Sequence, residues 1–130
     1  MLLKLQQVLR AAPVLRAWFS TSEIRFSAQT AYRLLTLRDE LDKHLSDYQN
    51  AALYVLSKHG KQTDSGFEFK TDNGEIDHAA VAAANAELLA LEETEIEVGG
   101  LPAVTLDELE AAGVKLSIVE LDAVIGWLVK

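Results

Sequence analysis

The chain contains no cysteine, so disulfides, thiolate zinc sites and cysteine nucleophiles are excluded. The same absence fits a reducing, cytoplasmic location. Long apolar runs are missing as well. No stretch approaches the roughly 18 consecutive apolar residues of a membrane-spanning helix. There is no glycine-rich phosphate loop, no Gly-x-Ser-x-Gly elbow and no serine–histidine constellation picked out by spacing. The three histidines, His44, His59 and His78, form no His-x-x-x-His pair. His44 and Asp47 stand one helical turn apart, a spacing common by chance, and no metal is expected at any of them. Asp72-Asn73-Gly74-Glu75-Ile76-Asp77 has the glycine of a calcium loop. Phe69 and Thr71 occupy the places where that loop needs acids, so the loop reading fails.

Basic charge is scarce in one half only. Residues 1–62 carry a net +4 and residues 63–130 a net −12, within a total of −8. Either the two halves neutralise each other by packing, or the acidic half faces a basic partner. Direct nucleic-acid binding is disfavoured by the overall sign, because phosphates need a basic surface. The first acid in the chain is Glu23, after Lys4, Arg10 and Arg16. That start suits an amphipathic targeting peptide or the basic first helix of a folded domain. The second is preferred, because a presequence is normally removed from the folded protein.

Hydrophobic residues make up 49% of the 130 residues and charged ones 25%, which suits one folded domain spanning 1–130 and argues against disorder. The expected class is α+β: a long central helix, a small antiparallel sheet and short C-terminal helices. Residues 3–18 read as a short strand or coil and then a helix with Val8, Leu9, Ala12, Leu15 and Phe19 in its stripe, beginning near Pro13. Ser20 and Glu23 make a capping box for the long helix, near 22–59. Its stripe is Ile24, Ala31, Leu34, Leu41, Leu45, Tyr48, Ala52 and Val55, and Gly60 stops it. Asn73-Gly74 predicts a two-residue type I′ hairpin near 67–77, pairing Asp72 with Glu75, Thr71 with Ile76 and Lys70 with Asp77. That register buries Phe67, Phe69, Thr71 and Ile76 together.

Asp77 is the expected N-cap of a helix from His78 to about Glu92, with Val81, Ala84, Leu88 and Leu91 inward. A strand follows near 94–98 and ends at Gly99-Gly100. Thr105/Glu108 and Ser117/Glu120 are capping boxes for two short helices, with staples Val104/Leu109 and Leu116/Leu121. The last helix is expected to bury Ile118, Leu121, Ile125 and Leu128. The likeness of the two helix starts reflects shared capping chemistry rather than a repeat. Trp18, Tyr32, Tyr48, Tyr54 and Trp127 are too scattered for a base-stacking platform and read as core or interface residues.

The densest acids are Glu92, Glu93, Glu95 and Glu97. Glu93, Glu95 and Glu97 alternate with Thr94, Ile96 and Val98, the pattern of a strand's solvated face. No catalytic residue, cofactor, metal or small-molecule substrate is assigned, and no enzyme activity is expected.

The order of parts resembles a family of small bacteriophage-encoded proteins, the domain of unknown function 1617. A leucine-rich basic start precedes a long Arg- and Leu-bearing helix ending in YVLSKHG. DSGFEFK, AELLALEETEIEV and the C-terminal LDAVIGWLV follow. The resemblance spans most of the chain as a pattern and implies a phage origin, the bacterial cytoplasm and no established activity. Three functions remain open. The first is a non-catalytic interaction module, acting on a protein partner or by self-association. The second is an acidic inhibitor of a host nucleic-acid-binding or defence protein. Glu93, Glu95, Glu97, Asp107, Glu108 and Glu110 would then imitate phosphate spacing in a basic groove. The third is a virion or assembly accessory.

Overall fold

Apolar spacing produces more helix than strand here. In a computed structural model describing residues 1–130, the chain is α+β, with the order β1 (Leu2–Lys4), α1 (Leu5–Ser20), α2 (Ala28–His59), β2 (Lys61–Thr63), β3 (Gly66–Glu68), α3 (His78–Glu92), β4 (Glu95–Glu97), α4 (Leu106–Ala111) and α5 (Ile118–Val124). The strands form two antiparallel pairs, β1 with β4 and β2 with β3. The chain divides into two compact units, one of residues 1–45 and 95–130, the other of residues 46–94.

In the first unit β1 and β4 pair with Leu3 opposite Ile96, Lys4 opposite Glu95 and Leu2 opposite Glu97. Val8, Leu15 and Trp18 of α1, Leu34, Leu37 and Leu41 of α2, Leu109 of α4, Val98, Val124, Leu128 and Val129 make the core. Pro13 stands inside α1 rather than at its start. Pro13 lies on the exposed face of the helix, and having no N–H it leaves the carbonyl of position 9 without its helical partner.

The long helix starts at Ala28, later than the Ser20/Glu23 signature predicts. Ser20 instead finishes α1, its hydroxyl donating to the Ala17 carbonyl. Ser27 supplies the start: its Oγ accepts from the Thr30 N–H. With threonine rather than glutamate in the third helical position, this start lacks the full sequence signature of a capping box.

The second unit holds the C-terminal part of α2, the hairpin strands and α3. β2 pairs with β3 around Asp64-Ser65, Thr63 opposite Gly66 and Gln62 opposite Phe67, a hairpin not expected from the sequence. The 67–77 turn is also one residue out of the expected register. Lys70 bridges to Ile76, the Thr71 N–H donates to the Glu75 carbonyl, and the Gly74 N–H donates to the Thr71 carbonyl. Gly74 has φ +79° while no residue other than glycine has positive φ, so Asn73 does not take the left-handed form that type I′ demands. The result is a three-residue loop, a type I turn closed by a glycine bulge. The slip moves Ile76 to the solvent side, 63% exposed. Asp77 caps α3 as expected, its Oδ1 accepting from the Ala80 N–H.

The end of the chain departs from the simple helical stripe. α5 stops at Val124, and Gly126 takes φ +88°. That turn lets the Val129 N–H reach the Val124 carbonyl and the Gly126 N–H reach the Val129 carbonyl. Leu128 is buried by this return loop. Ile118 and Ile125, expected inside, are exposed, and Ala123 and Val124 take the inner positions.

Candidate functional site: an acid-rimmed apolar cleft

Two local stop signals shape the surface between α4 and α5. The Thr105 hydroxyl accepts from the Glu108 N–H while the Glu108 carboxylate accepts from the Thr105 N–H, so the predicted capping box is formed. Val104 and Leu109, the staple pair, are both 2% exposed. At the other end Gly113 takes φ +85°. Its N–H donates to the Glu110 carbonyl and the Val114 N–H donates to the Leu109 carbonyl, the two bonds of a Schellman stop. Val114 is thereby folded back beside Leu109. Ser117 then starts α5, its Oγ accepting from the Glu120 N–H.

Leu106, Leu109, Glu110, Val114, Leu116 and Leu121 line a cleft of about 320 Å³ between these helices. Of eleven large hydrophobic residues exposed on the chain, Leu106, Ile118, Val119 and Ile125 fall within this C-terminal segment. Ile118 is 87% exposed and Val119 74%. Covering either side chain would be worth about 1.5–3 kcal/mol. Single exposed aliphatics are ordinary; here Leu106, Ile118, Val119 and Ile125 fall in one short stretch of the chain, and Leu106 lines the cleft. Asp107 and Glu110 of α4 make no ion pair, and Lys115 is the one cation in the connection to α5. The cleft is therefore lined by five aliphatic side chains and one carboxylate, that of Glu110.

The six acids singled out by sequence do not act alike. Glu93 is the C-cap of α3, in the αR conformation, and belongs to the second unit, so it does not extend the alternating strand. Glu95 and Glu97 occupy the exposed side of β4, and Glu97 binds the Met1 ammonium at 2.6 Å. Glu108 turns inward: its Oε2 accepts from the Thr30 hydroxyl and from Arg33 Nη2, the latter at 2.7 Å. Arg33 Nε also donates to the Ala103 carbonyl. These bonds, the Thr30 hydroxyl first, hold the Glu108 carboxyl below its ordinary range. Glu108 is thus a tie between α2 and α4. Of the set, Glu110 alone lines the cleft.

A second polar cluster lies in the other unit. Glu87 of α3 accepts from Lys58 Nζ at 2.8 Å and contacts His59 Nε2. Lys58 first, then His59, lowers the Glu87 pKa, and the same Glu87 bond raises that of Lys58. His59, expected to favour the helix dipole at the end of α2, does stand in its last turn. Nearby, Tyr48 donates to Glu92 at 3.1 Å, and burial followed by that bond raises the Tyr48 pKa. No group of three or more His, Asp or Glu side chains is placed to hold a metal ion, and no helix is long and apolar enough to cross a membrane.

The cleft was missed at the level of sequence because Leu116 and Leu121 read as a staple and Ile118 as core. One signal was present. Ile118 and Val119 are adjacent, about 100° apart on a helix, so both cannot face the same narrow core contact. Searches against protein-family models, curated proteins and solved structures find no match to this chain.

Proposed function

We propose that this chain is a non-catalytic interaction module that docks a foreign protein in the α4–α5 cleft. The carrying observation is the exposure of Ile118 and Val119 beside a leucine-lined depression. A foreign partner is favoured over a second copy by charge. The chain carries −8, and a two-fold pairing of this face would set one Glu110 carboxylate close to another. The acidic-inhibitor alternative loses ground because Glu108 is committed to Thr30 and Arg33. Taken with the bacteriophage resemblance, the partner is expected in the cytoplasm of a bacterial host.

A photo-crosslinking amino acid placed at Ile118, with the exposed Gln49 as control, tests the reading in cells. The expected result is a discrete crosslink to another protein from position 118 and none from 49. Equal labelling at both positions, or crosslinks from 118 only to another copy of the chain, would overturn it.

A further inference from the structure

We infer that α3 is a releasable helix: it separates from the C-terminal part of α2 while the first unit stays folded, and the Glu87 carboxylate is the clasp that sets how often.

Burial carries the first half. A helix in water is held mainly by the apolar face it packs, because a segment of about 15 residues is marginal alone even when rich in alanine. α3 is such a segment, 15 residues long and built largely of alanine and leucine. Among residues 46–94 the buried apolar side chains are Val55 of α2 and Ala84 of α3. Val81, Leu88 and Leu91, expected inside, are only half-buried, and Leu89 is 61% exposed. Ala84 has little area to remove from water. The first unit, in contrast, buries Leu15, Leu34, Leu41 and Leu128 completely and both tryptophans almost so. Few buried apolar contacts put a segment at the low end of the local stabilities within one protein.

Side-chain bonding carries the second half. Lys58 Nζ donates to Glu87 Oε1 at 2.8 Å, and His59 Nε2 contacts Glu87 Oε2. One carboxylate of α3 thus holds two adjacent side chains in the last turn of α2. The His59 side chain is 19% exposed against 50% for Lys58, so water screens the His59 contact less. The tie from the Tyr48 hydroxyl to Glu92 is a single bond at 3.1 Å, near the other end of α3. Beside two buried side chains, two bonds to one charged group are a large share of what closes the unit. Release bares Val55 and Ala84 and parts Glu87 from Lys58 and His59.

Amide hydrogen exchange of the full chain, followed by NMR through a urea series, tests both halves. The amides of α3 from Val81 to Leu91 are expected to exchange through one shared opening. They should be about 100-fold less protected than those of Val8, Leu15 and Trp18 in α1. Glu87→Gln should make that opening about fivefold more frequent, the size expected for partly screened charge bonds, with α1 unchanged. Lys58→Gln should raise it about twofold, and Glu87→Gln should add less in that background than in wild type. Asp47→Asn, at an exposed acid elsewhere on α2, should leave the opening as it was.

Equal protection of α3 and α1 would overturn the release. An α3 that opens separately but no more often in Glu87→Gln, or equally more often in Asp47→Asn, would take the clasp away from Glu87. Loosening of α1 in step with α3 in Glu87→Gln would reveal one cooperative fold and overturn both halves. Should Glu87→Gln fail to fold, Lys58→Gln decides: a faster α3 opening with α1 unchanged supports the clasp, and an unchanged one overturns it.

Discussion

Replacing Glu108 by glutamine should loosen the first unit far more than any other surface carboxylate change. The glutamate accepts four hydrogen bonds: from the Thr30 hydroxyl, from Arg33 Nη2, and from the Thr105 N–H and hydroxyl. Glutamine keeps the shape but replaces one acceptor oxygen with a donor, which then faces Thr30 and Arg33 or Thr105. The Arg33 and Glu108 side chains remain 47% and 33% exposed, so their ion pair contributes only a few tenths to about 1 kcal/mol. Thr30 is 4% exposed, and weakening a hydrogen bond to a buried hydroxyl costs about 1 kcal/mol or more. With half of the capping box also weakened, the loss is about 2 kcal/mol.

The assay follows from where the tryptophans lie. Trp18 and Trp127, the two tryptophans of the chain, both belong to the first unit. Their fluorescence during urea unfolding therefore reports that unit, while Tyr48 and Tyr54 report the other. At neutral pH the tryptophan midpoint of Glu108→Gln should fall by an amount equal to about 2 kcal/mol. The pH dependence has a fixed sign. The folded carboxyl titrates below its ordinary 4.5, so its contribution is complete above that value and lost as pH falls through the folded value. The gap between wild type and variant should narrow on acidification. A loss under about 0.5 kcal/mol at neutral pH, or a gap that does not change with pH, would refute the tie between α2 and α4.

Two further substitutions probe the backbone. Pro13→Ala should stabilise the first unit by about 1–2 kcal/mol, because alanine restores a helical N–H on an exposed face and relieves the ring's clash with the preceding turn. An unchanged or lower tryptophan midpoint would show that α1 gains nothing there. Gly60→Ala should destabilise the second unit, since a Cβ there would lie 2.9 Å from the Phe69 ring and 3.0 Å from the Glu68 carbonyl oxygen. Faster amide exchange across 61–70 with α1 unaffected is the expected readout, and unchanged exchange in that hairpin would contradict it.

The elements legible in the sequence are those whose signals are local and self-sufficient. Asp77, Thr105 and Ser117 each cap the helix expected of them, because a short polar side chain satisfies a backbone N–H three residues away whatever surrounds it. The misplaced boundaries share a different cause: two local solutions of similar energy, decided by packing. Ser20 can start a helix or end one, and it ends α1 because Trp18 and Leu15 on the preceding turns are buried. Asn73-Gly74 can close a two-residue or a three-residue loop, and the register it chooses decides on which side Ile76 falls. The candidate site was hidden by the same ambiguity. Ile118, Val119, Leu121, Ala123 and Val124 give α5 more apolar residues than a seven-residue helix can bury, and periodicity cannot say which are left outside. The loop turned by Gly126 decides it: it returns Trp127, Leu128 and Val129 to the core. Ile118 and Val119 are left in water because Ala123 and Val124 already fill the inner side of α5.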